Sequence, residues 1–222
     1  MKILQNIIML AFETYEEHER HLPTKGKYII AQFTQEYIIV YQAFRDSVAE
    51  YAVANQRFGS EDYDFGRTTW LKPSFLWMMY YSGWANKQNQ ENVLAIKISI
   101  AGFEEILKNA VLNKFYDSLP LLDIFRKNKT PEQIQWQWES YHDLRGNKTD
   151  RKAVKIGLSG DMLQRFNNEW ILEIQNITEY VKQQQKLVKE DKIDQVLLPR
   201  ERAYAPKDLT ILKKIDATTI SL

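Results

Sequence analysis

Arg67 and Lys72 are the residues of this sequence best placed to act on a ligand, and Thr68, Thr69, Trp70 and Leu71 stand between them. Side chains of an extended backbone alternate between faces, so Lys72, Trp70 and Thr68 would share one face and Arg67, Thr69 and Leu71 the other. One face then offers a cation, a ring and a hydroxyl. That set holds a phosphate and stacks a base, with Lys72 as the point charge and Trp70 as the platform. The same spacing also suits a lysine whose stem packs over aromatics while its amine reaches water. Neither cation has an acidic neighbour after the run Glu61-Asp62-Tyr63-Asp64 ends.

The remaining chemistry-bearing residues say less. Ser74 follows Pro73 and precedes an apolar run, so it suits a helix cap; no histidine lies nearby in sequence to activate it as a nucleophile. Residues 75–81 are apolar on all sides and read as a short buried helix, with a buried strand as the alternative. Trp77, Met78 and Met79 within them are expected in the core. His18 and His21 stand three apart with Glu17 between, and without a third ligand they suit a solvated helix face better than a metal site. His142 falls in a charged segment. The turn Gly157-Leu158-Ser159-Gly160 could aim N–H groups at an anion, but it lacks the spacing of a phosphate loop and reads as a helix cap. Zero cysteines exclude disulfides, thiolate catalysis and cysteine-ligated zinc.

These residues must be held by one body. A chain of 222 residues can bury one sizeable core, and no composition break argues for a second. Apolar residues are 44% and charged residues 27%, which indicates neither disorder nor a coiled coil. Formal net charge is +1, so no global field would hold nucleic acid, and any phosphate site must be a local cluster. The first twelve residues are apolar, but Gln5 and Asn6 interrupt them and no cleavage site follows, so a cytoplasmic protein is expected. The sequons at Asn128, Asn147 and Asn176 would then carry no sugar. No apolar run is long enough to span a bilayer.

Residues 1–26 read as a leader, 27–205 as a single α+β domain with a mixed, largely antiparallel sheet flanked by helices, and 206–222 as a peripheral tail. Residues 28–33 and 37–41 are β-branched and aromatic, which predicts an antiparallel hairpin. Ser47-x-x-Glu50 reads as a capping box opening a helix that ends near Gly59. After a polar loop at 85–92, residues 93–98 predict a strand buried on both faces. Phe103, Ile106, Leu107, Ala110 and Val111 then recur at helical spacing, and residues 117–130 form a connection. Residues 134–139 alternate like a strand with Trp136 and Trp138 on one face, followed by a charged loop at 143–150 and a short strand at 153–156 ended by Gly157. Ser159 could cap a helix carrying Leu163, Phe166 and Trp170, before a strand at 171–174. Thr178 reads as the cap of a polar helix reaching about residue 191, while Leu197-Leu198-Pro199 and a short helix near Leu209 look peripheral.

Several of these stretches together resemble an uncharacterised family, the domain of unknown function 4291 (DUF4291). The matching words are Ile39-Val40-Tyr41-Gln42-Ala43-Phe44, the run from Thr69 through Tyr80, Ser82-Gly83-Trp84, Val93-Leu94-Ala95-Ile96, Gln135-Trp136 and Ile156-Gly157-Leu158-Ser159-Gly160. They span roughly residues 28 to 200, a full domain by size. The family pattern usually carries arginine where Tyr81 stands here, and its basic residue ahead of the Ile-Gly-Leu word is represented by Arg151 or Lys152. The order of elements is also loosely similar to compact ADP-ribosyltransferase-like domains. That likeness would put Tyr41 and Gln42 at the first core-strand position and Glu169 or Glu173 at the catalytic glutamate.

The candidate ligand-binding set is therefore Tyr41, Gln42, Arg67, Thr69, Trp70, Lys72, Ser74, Tyr81, Trp84 and Lys152. Three functions compete for it. One is an enzyme acting on a nucleotide or a nucleic-acid end, possible ligands including NAD; the second is a non-catalytic nucleotide- or RNA-binding module; the third is an interaction protein whose aromatics are only core. A convergent pocket around a buried cation favours the first two.

Overall fold

The computed structural model describes residues 7, 9–112 and 134–219, and the connection expected at 117–130 lies outside them. The chain opens with β1 (Phe12–Thr14), α1 (Tyr15–His21), β2 (Gly26–Lys27), β3 (Ile29–Ala31) and β4 (Tyr37–Phe44). Next come α2 (Asp46–Asn55), β5 (Thr69–Leu71), α3 (Phe75–Ser82), β6 (Asn92–Ser99), α4 (Ile100–Asn109) and β7 (Val111–Leu112). After the undescribed stretch stand β8 (Ile134–His142), β9 (Lys148–Leu158), α5 (Gly160–Arg165), a π-turn (Phe166–Trp170) and β10 (Ile171–Asn176). The chain closes with α6 (Thr178–Lys189), β11 (Leu197–Pro199), β12 (Arg202–Tyr204) and α7 (Thr210–Lys214).

This is the expected α+β fold, but its strands are divided among several sheets. An antiparallel sheet of order β10-β6-β4 forms one layer. Its strands alternate between two cores: Ile38, Val40, Leu94 and Ile96 face one, and Ile39, Tyr41, Val93 and Ala95 face the other. Burial on both faces is why 93–98 is almost continuously apolar. The buried side of α4, with Phe103, Ile106 and Leu107, fills the first core, while α3 and α6 fill the second. The other large sheet is mixed. Its long strand β9 pairs antiparallel with β8 on one side, and with parallel β2 and antiparallel β5 on the other.

β5 joins the two layers. Its three residues pair with Leu158, Gly157 and Ile156 of β9. One residue later, Lys72 exchanges both backbone hydrogen bonds with Tyr41 of β4. The chain then turns at Pro73 into α3, whose Phe75, Leu76, Trp77, Met78 and Met79 are buried as expected, whereas Tyr80 and Tyr81 in its last turn are exposed, so the helix is not buried along its whole length. Ser82-Gly83-Trp84 is its stop signal. Gly83 adopts a left-handed φ of 58°, and the Trp84 N–H returns to the Met79 carbonyl at 2.8 Å, a closure that favours glycine.

Some expectations fail where a single residue sets the outcome. The hairpin of 28–33 with 37–41 exists only at its turn, through the Phe33–Ile38 bridge, because β3 pairs with β12 instead. Ser47 makes no capping box: the N-cap is Arg45, and Ser47, already inside the first turn, donates to Asp62. Thr178 is the first residue of its helix rather than the cap: the N-cap position is Ile177, and Asn176 Oδ1, two residues before Thr178, accepts the Thr178 N–H, while Thr178 Oγ1 accepts from Val93. Val111 leaves the helix for β7. The loop expected at 143–150 is shorter, since β9 already starts at Lys148 and Asp143 closes the turn by accepting from Arg145 and Asn147.

The segments read as peripheral carry core residues. Leu197-Leu198-Pro199 pairs with β1, and Leu198 is buried. Ile211, Leu212 and Ile215 are buried beyond β12, and the Trp138 indole donates to the Ile215 carbonyl at 2.7 Å. His18 is interior rather than solvated, with Nδ1 3.2 Å from the Pro199 carbonyl and Nε2 3.4 Å from the Tyr141 hydroxyl. His142 is likewise buried, its ring stacked on Tyr80 at 3.5 Å.

Candidate functional site

Where β5 passes between the layers, a cleft of ≈ 290 Å³ opens beside it. Gln42 from β4, Thr69 and Trp70 from β5 and Lys72 just after it supply its floor, Tyr81 of α3 one wall, and Arg67 lies at its exposed mouth. Six of the ten candidate residues thus converge, although in sequence Gln42 is distant from the rest. Gly157 of β9 makes this packing possible: a Cβ there would lie 2.8 Å from Thr68 Cγ2 and 3.1 Å from the Trp70 ring.

Lys72 is the unusual group. It is only 4% exposed, and its ammonium donates to the Trp70 carbonyl at 3.1 Å. The amine lies 4.3 Å from the Tyr81 ring centre and 5.6 Å from that of Trp77. Among the described residues no carboxylate forms an ion pair with it. Burial, and then the positive charges of Lys155 and Lys87, push its pKa down from 10.5 to about 7.

Two further cations stand close by. Lys155 of β9 lies over the Trp70 ring at 4.7 Å and is paired with Glu139 at 2.8 Å. Lys87 lies 4.8 Å from the Tyr81 ring on the surface side. Tyr81, where the family pattern places arginine, is therefore flanked by two ammonium groups. An aromatic face attracts both, whereas a guanidinium there would repel them.

The other candidates lie elsewhere. Tyr41 turns its ring into the core against Phe75, 5.6 Å away, and burial raises its pKa well above the usual phenol value. Ser74 is the N-cap of α3 without a side-chain cap bond; the Phe75 N–H is taken instead by the buried carboxyl of Glu201 at 2.7 Å. Trp84 packs edge-on against Phe75 at 6.3 Å. Lys152 reaches the Ser140 hydroxyl at 3.4 Å. None of these four lines the cleft, and neither do Glu169, paired with Arg165, or Glu173, paired with Lys97.

Sequence reasoning missed Asp62 and Asp64, which line the cleft, and Lys155 and Lys87 beside its floor. Asp62 and Asp64 were visible only as a run ending a helix. Lys155 had a usable signal, being two residues before the glycine that Trp70 covers and thus on the same strand face.

An α+β domain with a cationic floor and aromatic walls at a junction of two sheets is the class that fold and cleft define. The profile of the family described as Domain of unknown function (DUF4291) matches residues 28–204, from just before β3 to the end of β12, and the chain belongs to that family. No curated protein matches the chain. Among the described residues, no helix is long and apolar enough to cross a membrane, and no group of three His, Asp or Glu side chains gathers as a metal site would require.

Proposed function

We propose that this cleft binds a phosphate-bearing ligand of the nucleotide class, free or at the end of a nucleic acid. The observation that carries the proposal is the burial of Lys72 with no carboxylate partner and two more lysines beside it. A buried charge is costly unless paired, and Lys72, which lines the cleft with no carboxylate of its own, asks for an anion. Trp70 and Tyr81 supply faces on which a base can stack. Neither Glu169 nor Glu173 is near enough to line the cleft, so ADP-ribosyl transfer through them gains no support.

Thermal unfolding of the full chain with and without adenosine monophosphate tests the proposal. A ligand that binds only the folded form raises the melting temperature. The expected result is a rise with the parent protein and none with Lys72→Met; a parent that gives no shift, or a variant that responds equally, overturns it. One observation favours catalysis over simple binding: Asp62 and Asp64 face the same cleft as an amine that exchanges its proton near neutrality. Turnover of a phosphorylated nucleotide or RNA end, followed by phosphorus NMR, would then be lost in Asp64→Asn while binding remains. Binding without turnover in the parent leaves a binding module.

A further inference from the structure

We propose that the floor of the cleft takes a terminal phosphomonoester, a phosphate that still carries a P–O–H group, in preference to a phosphodiester or sulfate. This rests on the phosphate-binding reading above and adds which phosphate enters.

The inference starts from Gln42, which is 3% exposed and lines the cleft. Its amide nitrogen donates to Thr69 Oγ1 at 2.6 Å and to the Trp70 carbonyl at 3.3 Å. A carbonyl can only accept, so Trp70 fixes which end of the amide faces it. Both N–H groups are then used, and Oε1 is left buried with no partner among the described residues. A buried acceptor left in this state is destabilising and calls for a donor.

Lys72 reaches the same Trp70 carbonyl from its own side, at 3.1 Å, and an ammonium has further N–H groups to give. Both side chains line the cleft, so a ligand seated there meets a charged donor from Lys72 and a neutral acceptor from Gln42. Sulfate offers only acceptors near neutral pH, and its lone pairs would oppose Gln42 Oε1. A phosphodiester has no hydroxyl to donate, which includes both phosphates of a dinucleotide such as NAD. A phosphomonoester, whose second ionisation lies near pH 6, can place an anionic oxygen on Lys72 and its hydroxyl on Gln42. The size of the cleft, ≈ 290 Å³, is at the small end of ligand sites and suits one nucleotide unit.

The test is isothermal calorimetry on the full chain at a fixed pH of about 6.5, near that second ionisation. Fixed pH matters because raising it would remove both the phosphate proton and the charge on Lys72. Adenosine monophosphate is expected to bind about tenfold tighter than its phosphate methyl ester, the ratio that leaving the buried Gln42 acceptor without a donor gives. Inorganic phosphate should compete with it better than sulfate does. In Gln42→Leu the monophosphate and the ester should become equal. If that variant fails to fold, the parent comparison still decides. Equal binding of monophosphate and ester by the parent, or a ratio unchanged in Gln42→Leu, overturns the inference and leaves the phosphate site standing; no binding of any probe overturns both. A 5′-phosphorylated oligonucleotide titrated beside the 5′-hydroxyl form identifies the source: preference for the phosphorylated strand over the free nucleotide indicates a nucleic-acid end, and the reverse a free nucleotide.

Discussion

Replacing Lys72 by methionine should make the protein more stable, and more so in acid. Met keeps an unbranched stem of similar length and removes a charge held almost wholly out of water. The amine of Lys72 titrates at about 7 in the fold and has an ordinary value of 10.5. At about 1.4 kcal/mol per factor of ten, that difference means the folded state holds the charged form at a cost of roughly 5 kcal/mol. Below pH 7 the amine is protonated in both states and the whole cost applies. Between about 7 and 10.5 the unfolded chain binds the proton and the fold does not, so stability rises with pH through that window and levels off above it. Losing the bond to the Trp70 carbonyl and the contact with Tyr81 offsets roughly 1 to 3 kcal/mol. The net gain for Lys72→Met is then on the order of 2 to 4 kcal/mol at pH 6, which in a chain of this size is a rise in melting temperature of roughly 4 to 16 °C. Raising the pH from 7 to 9 should shrink the advantage by about 2 kcal/mol, since the folded amine is already half deprotonated at pH 7. Urea unfolding followed by tryptophan fluorescence at pH 6, 7.5 and 9 measures this. A variant less stable than the parent at pH 6, or one with the parent's slope between 7 and 9, would refute the reasoning.

Gly102→Ala should lose about 1 to 3 kcal/mol in the same urea assay, because a Cβ there would lie 2.3 Å from Trp170 Cγ and the indole must shift; an unchanged midpoint would mean that Trp170 is free to move. Gly157→Ala should displace Trp70 by pressing on its ring, 3.1 Å from the added carbon, and weaken adenosine monophosphate binding more than it lowers stability; unaltered affinity would remove Trp70 from the site. Burial holds Glu201 protonated well above the usual carboxylate range, so its contribution falls as pH rises from its unfolded value toward its folded one. Glu201→Gln, which keeps an acceptor for the Phe75 N–H, should therefore gain on the parent between pH 5 and 8. A constant difference across that range would mean the carboxyl is already ionised.

The sequence made the long periodic elements legible and hid what depends on distant partners. Continuous apolar character identified 93–98 as a strand buried on both faces, and the spacing of Phe103, Ile106 and Leu107 identified α4, because each pattern reports local geometry directly. Caps were misread at Ser47 and Thr178, where a shift of one or two residues changes which N–H a hydroxyl can reach. The tail looked peripheral because β11 and β12 are three residues each, too short for a periodicity, and are strands only through β1 and β3 far earlier in the chain.

The cleft was half legible for the same reason. Alternation along an extended backbone placed Lys72 and Trp70 together, and both do meet Lys155 at the floor. Nothing local said that Lys72 is buried: that follows from its backbone pairing with Tyr41, across a separation that a pattern of neighbours does not encode. The same pairing brings Gln42, the residue after Tyr41, against Thr69 and Trp70. A single bridge between β4 and β5 thus creates both the buried ammonium and the buried acceptor. Each is a cost to the fold when alone, and stability by itself would favour apolar side chains at both positions. Both residues line one cleft, and a ligand carrying an anionic oxygen next to a hydroxyl would turn the two costs into binding.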